Sequence, residues 1–189
     1  MLDIALQFLK DELNTYLLAR TGSSTVSVKL TGVVDEAGKY AFGGETIGAT
    51  VINIEEDRVF RSPLPEFSYV NGQHVVAEPE LKLNLHVLFA ANFKQYEEAL
   101  KFISYVLTFF QSRPYFSSDE YPGLNPGIGR LTVELQSLSY EQLNQIWAFI
   151  GGKQLPSVVY KVRLIILQDD APKTVQPPLT IVNTDIHGR

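Results

Sequence analysis

LKLNLHVLFAANFKQYEEALKFISYVLTFFQSRPYF, Leu81 to Phe116, decides the fold, because within it a strand pattern runs directly into a helix pattern. From Leu81 to Phe89 the residues Leu81, Leu83, Leu85, Val87 and Phe89 alternate with Lys82, Asn84 and His86. That period of two gives a strand one buried face. After Asn92 the period lengthens to steps of three and four through Tyr96, Leu100, Ile103, Leu107 and Phe110, with Lys94, Glu97, Lys101, Ser104, Thr108 and Gln111 between them. This is the pattern of an amphipathic helix. Pro114 ends it, since proline disfavours helical backbone in Arg113 before it and itself lacks a donor. The stretch is scaffold and carries no reactive group.

Outward from this junction the same patterns repeat. Leu2, Leu6, Leu9, Leu13, Tyr16 and Leu17 share one face of a first helix, which Gly22 stops. Thr25 to Val34 is rich in Val and Thr and favours a strand; the glycine-rich Asp35 to Gly48 reads as a mobile loop. Gly48 to Phe60 is a second strand ending in acids, and Arg61 to Glu78 is a long loop of the kind that carries function. Gln111 to Arg130, with three prolines and three glycines, is a second long loop. Leu131, Val133 and Leu135 mark another strand. Ser139 and Gln142 then fit a capping box, with Leu138 and Leu143 placed as a hydrophobic staple, and Leu143, Ile146, Trp147 and Ile150 are the expected buried stripe of the helix that follows. Val158 to Leu167 is a last strand, with Lys161 and Arg163 on the face opposite Tyr160 and Val162. The expected fold is α/β (α+β): a single mixed β-sheet flanked by about three helices, with long loops. The expected division is a domain over 1–168 and an extended proline-rich arm over 169–189.

Composition narrows the chemistry. A chain of 189 residues can bury a sizeable core in one domain. It has no cysteine, so a disulfide framework, a thiolate metal site and a cysteine nucleophile are all excluded. A formal charge of -5 and the lack of any Lys/Arg run argue against a nucleic-acid partner. Apolar runs are shorter than the ~18 residues that span a bilayer, and Asp3 stands where a signal peptide would be basic. Synthesis in the cytoplasm without direct membrane insertion is therefore expected.

No catalytic arrangement stands out. Gly43-Gly44 is not a phosphate cradle, because no GK[ST] follows it. Glu55, Glu56 and Asp57 are adjacent carboxylates on a strand, where Glu55 and Asp57 can converge and Glu56 cannot. A hard cation would need further oxygen ligands, so the acids are read as an exposed or partner-facing strand end beside Arg58 and Arg61. His74, His86 and His187 belong to no nucleophile or zinc pattern, and His86 is read as a strand-surface residue or subunit contact. Tyr115, Phe116 and Tyr121 are aromatics placed in a loop, where a protein interface would use them. The reading is of a non-enzyme with neither cofactor nor metal.

Four segments resemble the tube-terminator or cap proteins of contractile injection systems, the family of the amino-terminal domain of Pvc16-like proteins. They are VINIEEDRVFR (Val51 to Arg61), Leu81 to Phe116, LTVELQSLSYEQLNQIWAFIGG (Leu131 to Gly152) and PSVVYKVRLIIL (Pro156 to Leu167). With the first helix the resemblance spans most of Met1 to Gln168. It implies a phage tail-terminator-like fold and a homo-hexameric ring on the distal end of an inner tube. Such a ring stops tube growth and meets the last layer of sheath protein within an assembled particle. The expected contacts with self, inner tube protein or sheath protein are Glu55, Asp57, Arg58, Arg61, His86, Tyr115 and Phe116. Two rival readings are a tail terminator of a contractile-tailed phage and, more distantly, a small α/β enzyme with a carboxylate site at Glu55 and Asp57.

Overall fold

The computed structural model describes residues 1–57, 66–70, 73–77, 81–167 and 174–176. In chain order they form α1 (Leu2–Thr21), β1 (Ser27–Leu30), β2 (Thr46–Glu56), β3 (Glu66–Val70), β4 (Gln73–Ala77), β5 (Leu81–Asn92), α2 (Tyr96–Ser112), β6 (Tyr115–Ser117), β7 (Arg130–Gln136), α3 (Tyr140–Ile150), β8 (Ser157–Leu167) and β9 (Thr174–Gln176). Six strands make one mixed sheet in the order β1-β2-β5-β8-β7-β6. β1 and β2 are parallel and every other pairing is antiparallel. The α/β class, the mixed sheet and the three helices are as the sequence indicates.

Period-two alternation along β5 sorts its side chains to two cores. Leu85, Val87, Phe89 and Ala91 face one side, with Ile47 and Ala49 of β2, Leu131 and Val133 of β7 and Tyr160 and Val162 of β8. Helices α1 and α2 cover that side. Leu88 and Ala90 face the other, with Val159, Trp147 of α3 and the loop residues Val33 and Phe42. α1 ends on Gly22 in the left-handed conformation at φ 66, which only glycine adopts without steric cost. α3 opens with the complete capping box: Gln142 N–H donates to Ser139 Oγ at 3.2 Å and Ser139 N–H to Gln142 Oε1 at 2.9 Å.

The register of the helices on the sheet differs from expectation. α2 buries Ala99, Phe102, Ile103, Val106, Phe109 and Phe110, whereas Tyr96 and Leu100 are exposed. Both sets recur at helical spacing, but the buried one carries three phenylalanine rings. Phe110 lies 5.5 Å from Phe89 and 4.7 Å from Tyr160, so the sheet takes the face with the larger apolar area. In α3 only Trp147 is fully buried; Leu143, Ile146 and Ile150 are half-buried.

Segments read as loops contain structure. Within Arg61 to Glu78, β3 and β4 pair antiparallel, with Val70 opposite Gln73. The dipeptide between them is Asn-Gly, the strongest two-residue hairpin signal. β9, from the segment read as an arm, pairs with β4 to complete a second, three-stranded sheet in the order β3-β4-β9. The segment from Asp35 is tied down: Asp35 Oδ1 accepts from Ala37 and Lys39 N–H, the Tyr40 hydroxyl donates to Lys153 O at 2.8 Å, and Phe42 is buried. Gly48 is required there, since a Cβ at that position would come within 2.4–2.8 Å of carbons of the Phe42 ring. The stretch after α2 is anchored by Phe116, Leu124 and Ile128, all at most 1% exposed.

Candidate assembly interface

A β-bulge decides which polar side chains meet. Val51 pairs with Val87, but Asn53 pairs with His86, so Ile52 is the extra residue. Past a bulge the alternation of the strand inverts relative to its partner. Asn53, Glu55 and Asp57 therefore join the face of Asn84 and His86, away from the α1/α2 core. β8 adds Lys161 opposite His86 and Arg163 opposite Asn84, and β7 adds Glu134 opposite Lys161. The result is a polar ladder over four strands on the half of this face that α3 leaves open.

Within the ladder His86 Nε2 stands 3.3 Å from Glu55 Oε2, and Glu55 Oε1 accepts from Asn53 Nδ2 at 3.1 Å. Arg163 reaches Asp57 Oδ2 at 3.4 Å through Nε and Glu134 Oε1 at 3.7 Å through a terminal nitrogen. Asp57 is 7% exposed and its N–H donates to Lys82 O. Glu55, Asp57 and His86 thus lie on one face, Glu55 beside His86 and Asp57 beside Arg163. Arg58 and Arg61 lie outside the described residues. Arg163, Glu134 and Asn84 complete the cluster without having been singled out as site residues; the alternation in Tyr160-Lys161-Val162-Arg163 was the available signal. Among the described residues no group of three His, Asp or Glu could hold a metal ion.

Beside the ladder, a groove of about 420 Å³ runs between the sheet and α3, lined by Ile52, His86 and Val159 on one wall and Gln145, Ile146 and Phe149 on the other. Phe149 and Tyr140 are exposed large apolar side chains of α3.

Tyr115 and Phe116 do not act together. They lie in β6, paired with β7, so their side chains point to opposite faces. Phe116 is 0% exposed, in contact with Phe8 at 5.5 Å, Tyr121 at 5.1 Å and Phe109 at 6.1 Å. The expectation of an exposed loop aromatic is corrected for Phe116, whose burial completes the core beneath α1; Tyr121 also packs there. Tyr115 is exposed, with the Arg130 guanidinium 4.5 Å over its ring.

The two edges of the main sheet differ. At β1, the side-chain amide of Asn14 on α1 accepts from Val28 N–H at 2.7 Å and donates to Val28 O at 3.1 Å, occupying the groups a further strand would use. At β6, Val133 N–H donates to Pro114 O and Ser118 N–H to Gly129 O. By antiparallel alternation Phe116 faces β7, and the backbone groups of Tyr115 and Ser117 point outward. Among the described residues no helix is long and apolar enough to cross a membrane.

Residues 5–181 match the family described as the Pvc16 N-terminal domain. Two solved structures share the fold. One is the sheath/tube terminator of PVC, an extracellular contractile injection system, in the extended state: TM-score 0.58, 14% identity, 94% of this chain covered and 63% of that one. The other is the tube-terminating cap of the anti-feeding prophage: TM-score 0.61, 15% identity, 94% and 60%. This chain therefore spans less than two thirds of the length of either. No match was found among curated proteins. By a match that covers nearly all of its length, the chain belongs to the Pvc16 N-terminal domain family.

Proposed function

We propose that the protein caps the inner tube of a contractile injection system, ending tube growth and contacting the last layer of sheath. The carrying observation is that 94% of the chain superposes on a sheath/tube terminator and on a tube-terminating cap. The subunit assembles as a homo-hexameric ring and acts as a structural component of the particle, without catalysis, after synthesis in the bacterial cytoplasm. A closed ring is made from one repeated heterologous contact, so each subunit presents two different complementary surfaces. The polar ladder with Glu55, Asp57 and His86, together with Arg58 and Arg61, is assigned to contacts with the tube, the sheath or the adjacent subunit, and so is Tyr115. Residues 1–168 act as the terminator-like body, and 169–189 as a segment that adds β9 to the small sheet and extends to a neighbour.

The test is electron microscopy of tube and sheath lengths in cells lacking this gene alone. Tubes of unregulated length, or loss of complete particles, restored by the gene in trans, are the expected result. Complete particles of normal length would refute capping. Charge reversal of Arg58 and Arg61 together should impair assembly in the same assay, and intact assembly would remove them from the contact.

A further inference from the structure

We infer that an uncharged groove between α2 and α3 receives Phe149 of an adjacent copy of this chain. The inference rests on the ring reading above.

α2 turns one apolar stripe to the sheet and leaves Tyr96 and Leu100 outside it, where an amphipathic helix ordinarily carries polar side chains. With Leu143 of α3 and Gln154, these two line a hollow of about 420 Å³. Leu143 and Gln154 also line a second hollow, of about 430 Å³, bordered by Tyr140 and Trp147 of α3. The two hollows thus form one groove, with Tyr140 93% exposed at its rim. No charged residue lines either part. The charges nearest in sequence are Lys94 and Glu97 beside Tyr96, the Glu98–Lys101 pair beside Leu100, Glu141 beside Tyr140, and Lys153 beside Gln154. They are of both signs and stay outside the lining. Exposed aromatics with charge excluded are the composition of an interface core, not of a solvated surface.

Such a groove selects an uncharged apolar occupant, because a charge placed there would lose its hydration and find no partner. Outside the groove, the most exposed large apolar side chain among the described residues is Phe149, 87% exposed on the other flank of α3. Gln142, Gln145, Ile146 and Ile150 stand on that flank and carry no charge. Glu141, the one charged residue of α3, lies about two turns away, and His86 is the one ionisable side chain across the hollow beside Phe149. The other exposed apolar side chains have charge close by. Tyr115 lies under the Arg130 guanidinium, Asp11 stands midway between Ile4 and Leu18 on α1, Ile54 adjoins Glu55, Leu135 adjoins Glu134, and Met1 bears the amino terminus. Groove and knob are different surfaces, one on each flank of α3, as the repeated head-to-tail contact of a closed ring requires.

Tyr96→Glu spoils the groove and Phe149→Glu removes the knob. Both side chains are exposed, and an acid is favoured in the first turn of α2, so each variant should keep the wild-type circular dichroism spectrum. Phe149→Ala takes the place of F149E should that variant unfold. The full-length proteins are followed by native mass spectrometry and negative-stain microscopy. With wild type forming rings, each variant alone should associate roughly thirtyfold more weakly per contact, the loss of an aromatic anchor. Mixed in excess over the concentration at which wild type first associates, the two variants should form dimers and stop. The intact Phe149 of Y96E fits the intact groove of F149E, while the reverse pairing has neither. Rings of either variant at wild-type concentrations, or a mixture that stays monomeric, would overturn the inference and leave the ring reading standing. If wild type rings only on tube ends, the variants are scored there, and tubes capped by either one overturn the inference. A wild type that rings neither in solution nor on tubes would overturn the ring reading itself.

Discussion

Replacing Phe116 by alanine separates core from surface at a site where neighbouring residues have opposite environments. Phe116 is 0% exposed and its ring meets three others, those of Phe8, Phe109 and Tyr121. Burying such a ring contributes about 1.5–3 kcal/mol by transfer alone. Each favourable ring pair adds about 0.5–1.5 kcal/mol, and the cavity left beneath α1 relaxes only in part. Phe116→Ala should therefore lose about 3–5 kcal/mol, the range for large-to-small changes at buried aromatics. For a chain of this length each kcal/mol moves Tm by about 2–4 °C, so a fall of roughly 6–20 °C is expected. Tyr115→Ala, one residue away on the exposed face, should stay within about 1 kcal/mol of wild type. Urea and thermal unfolding followed by circular dichroism read both. A loss below about 1 kcal/mol in F116A, or equal losses in the two variants, would refute the assignment of Phe116 to the core.

Other consequences are testable in the same way. Asn14→Ala leaves both Val28 backbone groups without their partner and should cost about 1–3 kcal/mol in urea unfolding; no loss would show that the amide does not close the β1 edge. Gly48→Ala drives a methyl into the Phe42 ring and should destabilise by about 1–3 kcal/mol, partly relieved by adding Phe42→Ala; strict additivity of the two variants would count against that contact. Ser139→Ala removes the α3 cap and should cost about 1 kcal/mol, with the helix end losing amide-exchange protection first. Burial pushes the Tyr160 phenol from 10.0 up to about 12. The folded state thus holds this proton more tightly than the unfolded state, so its contribution is complete below pH ~10 and is lost as pH rises to ~12. Tyr160→Phe should flatten the stability profile across this window; an unchanged slope would contradict it.

The division between what was legible and what was not follows the range of the interactions. Alternation along β5, the capping box at Ser139 and the αL stop at Gly22 depend on residues a few positions apart, and they are as the sequence reads them. That Glu55 and Asp57 share a face follows from the same period of two. That these acids meet His86 and Arg163 depends on a bulge at Ile52, which is visible only once β2 and β5 are in register. The shift of the buried stripe on α2 has a similar cause: Ile103 and Phe110 are buried as read, but only the shape of the sheet beneath turns Phe102, Val106 and Phe109 inward and leaves Tyr96 and Leu100 exposed. Phe116 looked like a loop aromatic because its three-residue strand is defined by pairing with β7 and not by any local propensity. The Asn71-Gly72 signal between β3 and β4 is local and legible in the sequence. By itself, then, the sequence determined the three helices, five strands of the main sheet, their order and the absence of cysteine chemistry, since these rest on local periodicity and composition. Only the tertiary structure decided which faces are buried, which sheet edge is closed and which charges meet, because each of those is settled by residues far apart in the chain that come together on folding.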